Sequence, residues 1–111
     1  MGIIEKMRLD GKKGFVTGAA RGIGKCTASA FAEAGADIAI VDIDIDEAEK
    51  TAKEIAEKTG RKVIAIKTDC TDKEQVYAMV QQVVKELGGL DFCHNNAGIC
   101  INAPAEEMTY D

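Results

Sequence analysis

Four short apolar runs alternate with three longer segments of helical periodicity, and this alternation restricts the fold more than any other feature of the sequence. The runs lie at residues 12–17, 37–42, 62–66 and 90–94, and their length predicts buried strands. Strands that alternate with helices form parallel sheets, because each helix returns the chain to the same edge. The sequence therefore predicts an α/β fold in the order βαβαβαβ, with helices on both faces of the sheet.

The first predicted helix follows a glycine-rich turn and ends near Gly35, where the apolar period stops. Its apolar residues recur at the spacing of one helix face, which we expect to pack on the sheet. The residues of this expected face are Ile23, Ala30, Phe31 and Ala34.

The other two helices are predicted from amphipathic segments that follow capping residues. We expect the second helix over residues 46–59, with Asp44 or Asp46 as its N-cap. The third helix is expected to begin after Thr71 or Asp72. Its expected apolar face consists of Val76, Val80, Val83, Val84 and Leu87.

Length and charge limit the class of protein. The chain has 111 residues, 46% of them hydrophobic, which predicts one domain over residues 1–111. The net charge of −5 argues against nucleic acid or an anionic membrane as partner, because phosphate surfaces attract basic residues. No apolar run suits a signal peptide or membrane span, and the four cysteines form no C-x-x-C pair. We therefore expect a cytoplasmic location, buried or bystander thiols and no metal site.

The turn at residues 17–24 has the sequence Thr-Gly-Ala-Ala-Arg-Gly-Ile-Gly and lies between the first strand and the first helix. Free amides and the dipole at a helix amino end attract a pyrophosphate. Gly18 would permit the tight turn, and Gly22 would let the ligand approach the backbone closely. Gly24 would allow the helix to pack closely on the sheet. The alternative is a purely structural turn of similar composition.

Asp42 follows Gly24 by 18 residues and ends the second predicted strand. A carboxylate at this place accepts hydrogen bonds from the ribose of an adenosine. The alternative is a helix-capping or solvated aspartate, since Asp44 and Asp46 are close in sequence.

Four motifs together are similar to those of the short-chain dehydrogenase/reductase family. They are the glycine-rich turn at 17–24, the acidic strand end at Asp42, Thr-Asp-Cys-Thr at 68–71 and Asn-Asn-Ala-Gly at 95–98. The resemblance runs from about Leu9 to the last residue in the family's order and spacing. It implies a Rossmann-type three-layer αβα sheet with strand order 3-2-1-4. It also implies an NAD(P)-dependent oxidoreductase that interconverts a secondary alcohol and a ketone.

The resemblance also implies residue roles. Asp69 would contact the adenine amino group, and the Cys70 amide would contact a ring nitrogen of the adenine. Residues 96–98 would lie along the cofactor. The alternative for Asp69 is a helix N-cap, and both roles can coexist. The candidate cofactor-binding residues are Gly18, Arg21, Gly22, Ile23, Gly24, Asp42, Asp69, Cys70, Asn96, Ala97 and Gly98.

The ribose end of the site favours NAD over NADP. Asp42 would repel a 2′-phosphate, and Ile43 stands where a basic partner for that phosphate would be expected. Arg21 could attract the phosphate, so NADP remains the alternative.

The residues that carry out hydride transfer in this family are a Ser, a Tyr-x-x-x-Lys pair and a further Asn, all downstream of Asn-Asn-Ala-Gly. Tyr77 is followed four residues later by Gln81, and Tyr110 precedes the last residue, so no Tyr-x-x-x-Lys can be written. Ser29 falls within a helix, and His94 is expected to be a packed strand side chain, with a ligand-facing role as the alternative. We therefore expect a fragment, the amino-terminal cofactor half of a longer domain. The alternative is a complete, non-catalytic dinucleotide-binding or subunit-interaction module.

The family resemblance also suggests a substrate class. The stretches Asn-Asn-Ala-Gly-Ile and Ala-Pro-x-x-Glu-Met make a sugar alcohol or keto-sugar the first expectation. Hydroxysteroids and 3-oxoacyl thioesters remain open. The whole protein is expected to be a homo-oligomer, as is usual in the family.

Overall fold

The computed structural model describes residues 9–95, and within them the predicted alternation of strands and helices is confirmed. The predicted bounds differ from the observed ones by two residues at most, and those of β2 agree. No helix in this range has the length and apolar character needed to cross a bilayer. The elements are β1 (Lys13–Thr17), α1 (Gly22–Glu33), β2 (Asp37–Asp42), α2 (Ile45–Thr59), β3 (Val63–Lys67), α3 (Lys73–Leu87) and β4 (Phe92–Asn95).

The four strands form one parallel sheet in the order β3-β2-β1-β4, as the family resemblance implied. β1 is central, with Lys13 opposite Asp37 of β2 and Gly14 opposite Phe92 of β4. Because all strands run in the same direction, their carboxyl ends meet at one edge of the sheet. The glycine-rich turn, Asp42 and residues 68–71 therefore converge on that edge.

The sheet separates two hydrophobic cores. Successive residues of β2 point to opposite faces, so Ile38 and Ile40 pack against α1 and α2, while Ala39 and Val41 pack toward α3. All four of these side chains are fully buried. The three-layer arrangement predicted from the sequence is thus present.

The predicted apolar face of α1 is wrong. Ile23 is 76% exposed, and the residues that α1 buries are Gly24, Ala28 and Ala32, spaced four apart. These residues have small side chains or none, and they let the helix axis approach the sheet closely. The predicted face was centred on the large side chains of Ile23 and Phe31, which lie on neighbouring sides of the helix. Phe31 is only partly buried, against the first of the two cores.

The predicted face of α3 is wrong at one position. Val84 is 45% exposed, and Met79 is buried in its place. Val84 is adjacent to the fully buried Val83 in sequence, so it is turned about 100° away from it around the helix axis. The remaining face from Val76 to Leu87 is as predicted.

Aspartates cap the second and third helices and decide between the alternatives left by the sequence. The Asp44 carboxylate accepts the Glu47 N–H at the start of α2. The Asp72 carboxylate accepts the N–H groups of Glu74 and Gln75 at the start of α3. Both helices end on a left-handed glycine.

A cluster of charges lies at the opposite, amino-terminal edge of the sheet. The Asp37 carboxylate accepts hydrogen bonds from Lys13 Nζ at 2.5 Å, from Arg61 Nη2 at 3.1 Å and from the Lys62 N–H at 3.2 Å. Only 9% of the Asp37 side chain is exposed. Burial alone would raise its pKa, but the hydrogen bonds and the nearby cations outweigh burial and hold the pKa below its usual value. The cluster ties β1 to the loop before β3.

Candidate functional site

The glycine-rich turn joins β1 to α1 at the carboxyl edge of the sheet. Gly18 and Gly22 have φ of +62° and +67°, a region that side chains with a Cβ rarely adopt. A Cβ built on Gly22 would meet no atom within 4 Å, so the space beside this backbone is open. Gly24 is buried beneath the helix. The three glycines therefore have the geometry predicted for a turn that a ligand can approach.

The amino end of α1 differs from the amino ends of the other two helices. Its N-cap residue, Arg21, makes no side-chain capping hydrogen bond, and its first turn contains no acidic residue. α2 and α3 instead begin with the capping carboxylates of Asp44 and Asp72. An uncapped helix amino end offers backbone N–H groups and the positive end of the dipole to an anion. Among the helices described, α1 is therefore suited to hold a phosphate.

Asp42 is fixed at the end of β2 by two backbone donors. Its Oδ2 accepts the Ala20 N–H at 3.1 Å, and its Oδ1 accepts the Asp44 N–H at 3.0 Å. The Asp42 carbonyl also accepts the Thr68 N–H at 3.1 Å. Asp42 is thus not the cap of α2, and it connects the loops that follow the first three strands. Each carboxylate oxygen keeps acceptor capacity for a ligand hydroxyl.

A cleft of about 210 Å³ opens beside this aspartate. Pockets that enclose a whole small molecule are usually about 300–1,000 Å³, so this cleft suits one part of a larger ligand, such as a nucleoside. Ile43 is 61% exposed beside it. The lining residues are Gly18, Asp42, Ile43, Thr68, Asp69, Cys70 and Thr71.

Asp69 and Cys70 lie in the cleft wall between β3 and α3. Asp69 Oδ1 accepts the Thr71 N–H at 2.9 Å and the Thr71 hydroxyl at 2.6 Å, and both bonds lower the pKa of Asp69. The Asp69 N–H donates to Gln75 Oε1 at 2.9 Å. Asp72 caps α3, so Asp69 is not its N-cap. Cys70 is half-buried and lines the same cleft.

Arg21 and Ile23 have the exposed side chains of the predicted set. The Arg21 side chain is 67% exposed and forms ion pairs with Asp44 and Glu47, at 2.9 and 3.6 Å. Ile23 lies in the first turn of α1 with most of its side chain in solvent. Neither residue lines the cleft, so the structure brings Gly18, Asp42, Asp69 and Cys70 together and places these two beside the turn.

Sequence reasoning missed Thr51, a residue of α2. Its side chain is fully buried, and its hydroxyl donates to the Ala20 carbonyl in the glycine-rich turn at 2.5 Å. The sequence held a weak signal, because Thr51 is a polar residue on a helix face otherwise formed by Ala48, Ala52 and Ile55. Thr51 and Asp42 together fix both polar groups of the Ala20 backbone.

The end of β4 reaches the same edge of the sheet. Thr17 Oγ1 donates to Asn95 Oδ1 at 3.1 Å, joining the last residues of β1 and β4. His94 is half-buried, with its ring 6.2 Å from the ring of Phe31 in an edge-to-face arrangement, as expected of a packed strand side chain. Asn96, Ala97 and Gly98 lie outside the described residues. Within residues 9–95, no group of three His, Cys, Asp or Glu side chains is placed to bind a metal ion.

The sequence matches the family model for short chain dehydrogenases over residues 12–111. It is 46% identical over 103 residues to galactitol 2-dehydrogenase of Agrobacterium fabrum and 41% identical over 103 residues to sorbitol dehydrogenase of Cereibacter sphaeroides. Each alignment covers 93% of this chain and 39% of the relative. The chain thus spans about two fifths of the length of these relatives.

Solved structures with a similar fold come from the same family. A short-chain type dehydrogenase/reductase from Mycobacterium marinum superposes with a TM-score of 0.79 at 41% identity, over 84% of this chain and 37% of that one. The chain therefore belongs to the short-chain dehydrogenase/reductase family, whose members are oxidoreductases that use nicotinamide dinucleotides.

The described residues fit such a cofactor. A dinucleotide requires donors for a pyrophosphate, and the uncapped amino end of α1 with the open side of Gly22 provides them. It also requires an acceptor for a ribose and a recess for one base, and Asp42 and the cleft have these properties.

Proposed function

We propose that this chain is the cofactor-binding part of an NAD-dependent oxidoreductase that interconverts a secondary alcohol and a ketone in a polyol or keto-sugar. The observation that carries the proposal is the fixed carboxylate of Asp42, placed beside a 210 Å³ cleft and the uncapped amino end of α1. That arrangement combines an acceptor for ribose hydroxyls with donors for phosphate.

Each part of the site has a proposed task. The first amides of α1 hold the pyrophosphate, and Asp42 accepts hydrogen bonds from the adenosine ribose. Asp69 and the Cys70 N–H meet the adenine, and residues 96–98 lie along the cofactor. The bound nicotinamide supplies the hydride chemistry, while this chain orients the cofactor electrostatically. Proton exchange with the substrate belongs to residues outside these 111.

The preference for NAD follows from charge. A 2′-phosphate on a ribose that is bonded to Asp42 would place two anions in contact, which disfavours NADP. Ile43, the exposed residue that follows Asp42, is uncharged and therefore does not offset this repulsion.

The polyol class is supported by relatives that act on galactitol and sorbitol and share 46% and 41% of aligned residues with this chain. The part of those relatives that is not aligned here, about three fifths of their length, is expected to contain most of the substrate contacts. We also propose that the whole protein is a homo-oligomer and that it is located in the cytoplasm. Light scattering would measure the mass of the particle in solution and so give the number of subunits.

Titration of the full-length protein with NAD⁺ and NADP⁺ tests the cofactor assignment. We expect Asp42→Asn to weaken NAD⁺ binding roughly 10- to 100-fold, the cost of a hydrogen bond to a charged group, while NADP⁺ binding is unchanged or tighter. Asp46→Asn removes the same charge from the exposed first turn of α2 and serves as the matched control. An Asp42→Asn protein with an unchanged NAD⁺ to NADP⁺ preference would contradict the assignment.

Turnover tests the reaction. NADH formation from galactitol, sorbitol and threitol should exceed that from hydroxysteroids and from 3-hydroxyacyl thioesters. Tight NAD⁺ binding without turnover of any of these would instead identify a dinucleotide-binding module.

A further inference from the structure

The Arg21 side chain, which does not line the cleft, is paired with two carboxylates at the start of α2. Arg21 Nη2 lies 2.9 Å from Asp44 Oδ2 and 3.6 Å from Glu47 Oε1. Arg21 follows Ala20, whose N–H donates to Asp42 at the proposed ribose position. A cation that could reach a phosphate on that ribose is therefore already paired at the start of α2.

The acceptor that pairs with Arg21 is held rigidly. The Asp44 N–H donates to Asp42 Oδ1 at 3.0 Å, and Asp44 Oδ1 accepts the Glu47 N–H at 3.2 Å. The second oxygen, Oδ2, is thereby aimed at Arg21. Because the capping bond fixes the carboxylate, Arg21 meets an acceptor that does not have to be ordered when the pair forms.

We propose that Asp44 and Glu47 determine cofactor specificity by holding Arg21, so that a 2′-phosphorylated dinucleotide is rejected by more than the charge of Asp42. Release of Arg21 toward a phosphate would break both ion pairs and leave two unpaired carboxylates near an added dianion. This inference rests on the proposed function, since it presumes that the adenosine ribose lies at Asp42.

The test is calorimetric titration of the full-length protein with NAD⁺ and NADP⁺, compared with the Asp44→Asn/Glu47→Gln variant. Asparagine retains the N-cap, and glutamine keeps the side-chain length. Each exposed ion pair has a modest effect, so NADP⁺ should bind roughly two- to tenfold tighter to the variant. The gain for NAD⁺ should be smaller, because both cofactors share the pyrophosphate at the start of α1 and only NADP⁺ carries a phosphate on the ribose.

Arg21→Gln, made alone and in the double variant, separates release of the arginine from simple loss of negative charge. The gain in NADP⁺ affinity should disappear when Arg21 is absent, and it should shrink as the ionic strength rises. The matched control is Asp46→Asn, which removes a first-turn charge outside the ion pairs with Arg21. Glu47→Gln alone leaves the Asp44 cap intact and should give a smaller gain in the same direction.

The outcomes are distinct. A gain that persists without Arg21, an equal gain in Asp46→Asn, or no gain in a folded variant that binds NAD⁺ would each overturn the inference and leave the proposed function standing. Failure of the wild-type protein to bind either dinucleotide would overturn both.

Discussion

Asp37 is an ionised carboxylate in an almost closed environment at the start of β2. Two cations and a backbone N–H contact it, and its pKa lies below the usual aspartate value of about 3.9. A carboxylate whose pKa is lower in the folded state stabilises the fold above its unfolded pKa, and this contribution disappears as the pH falls through the folded pKa. We therefore expect Asp37→Asn to lower the free energy of unfolding by about 1–3 kcal/mol at pH 7.

Urea unfolding at pH 7 and at pH 3 measures this effect. The difference between wild type and Asp37→Asn should narrow at the lower pH, because the unfolded wild type binds a proton at about pH 4 while the folded carboxylate resists protonation, and this reduces the stability that the charge adds. Glu33→Gln breaks an exposed ion pair with Lys58 and should change stability by less than about 0.5 kcal/mol. A constant difference between the two pH values would show that Asp37 acts through packing and not through its charge.

Single residues also show what sequence reasoning can reach. Asp42 was predictable because an acidic residue at the end of a buried strand, a set distance after the glycine turn, has few structural roles. The role of Thr51 was not predictable, because its hydroxyl donates to a backbone carbonyl 31 positions earlier. No pattern in α2 indicates which turn this face of the helix contacts. The ion pair of Arg21 with Asp44, 23 positions away, was unpredictable for the same reason, because it depends on how distant parts of the chain pack together.

Gly14 and Phe92 link β1 to its neighbour β4. They are opposite each other in the sheet, and a Cβ on Gly14 would overlap the Phe92 ring, which packs 4.9 Å from the ring of Phe31. Gly14→Ala should therefore destabilise the protein by about 1–3 kcal/mol, despite the lower entropy of its unfolded chain. Chemical denaturation measures this loss.

A second substitution distinguishes the clash from other causes. Phe92→Leu should restore part of the stability of Gly14→Ala, because a shorter side chain makes room for the added methyl group. Gly89→Ala is the control, since its Cβ would meet only Lys13 Cγ, at 3.9 Å. Equal losses at positions 14 and 89 would contradict the role assigned to the aromatic ring.

The helices show why element types were predictable and packing faces less so. Start and stop residues are local signals, so α2 and α3 were placed to within one or two residues. The face of α1 depends on how closely the sheet approaches, and that distance is set by Gly24, Ala28 and Ala32, which carry little hydrophobic signal. When a helix packs through small residues, a sequence-based prediction therefore easily assigns its buried face to the wrong side.

The whole molecule places its candidate site where three βα units meet. The cleft is formed by the loops after β1, β2 and β3, so a ligand bound there contacts three separate parts of the chain. Binding to the folded state alone stabilises it by about 2.7 kcal/mol at a ligand concentration 100 times the Kd. We expect NAD⁺ and ADP-ribose to raise the Tm of the full-length protein, and NADP⁺ to raise it less at equal concentration.

Thermal denaturation with fragments of the cofactor refines this prediction. Nicotinamide mononucleotide carries neither the adenine nor its ribose, so it should raise the Tm much less than ADP-ribose does. An equal effect of the two halves would contradict placement of the adenosine in the cleft. The order of the elements was predictable from the alternation of apolar runs and helical segments, and the strand order from the family resemblance. The volume and lining of the cleft were not predictable, because they depend on residues from three loops that are distant in sequence.

β2 begins with one aspartate and ends with another, and five steps of about 3.3 Å separate them by roughly 17 Å. At that distance substitutions act almost additively. Changes around Asp37 can therefore raise or lower thermal tolerance without altering the cofactor choice proposed for Asp42. Changes around Asp42 can likewise alter that choice without altering thermal tolerance. Lineages that adapt to a new temperature and lineages that adapt to a new redox pool could alter opposite ends of one strand without interfering with each other.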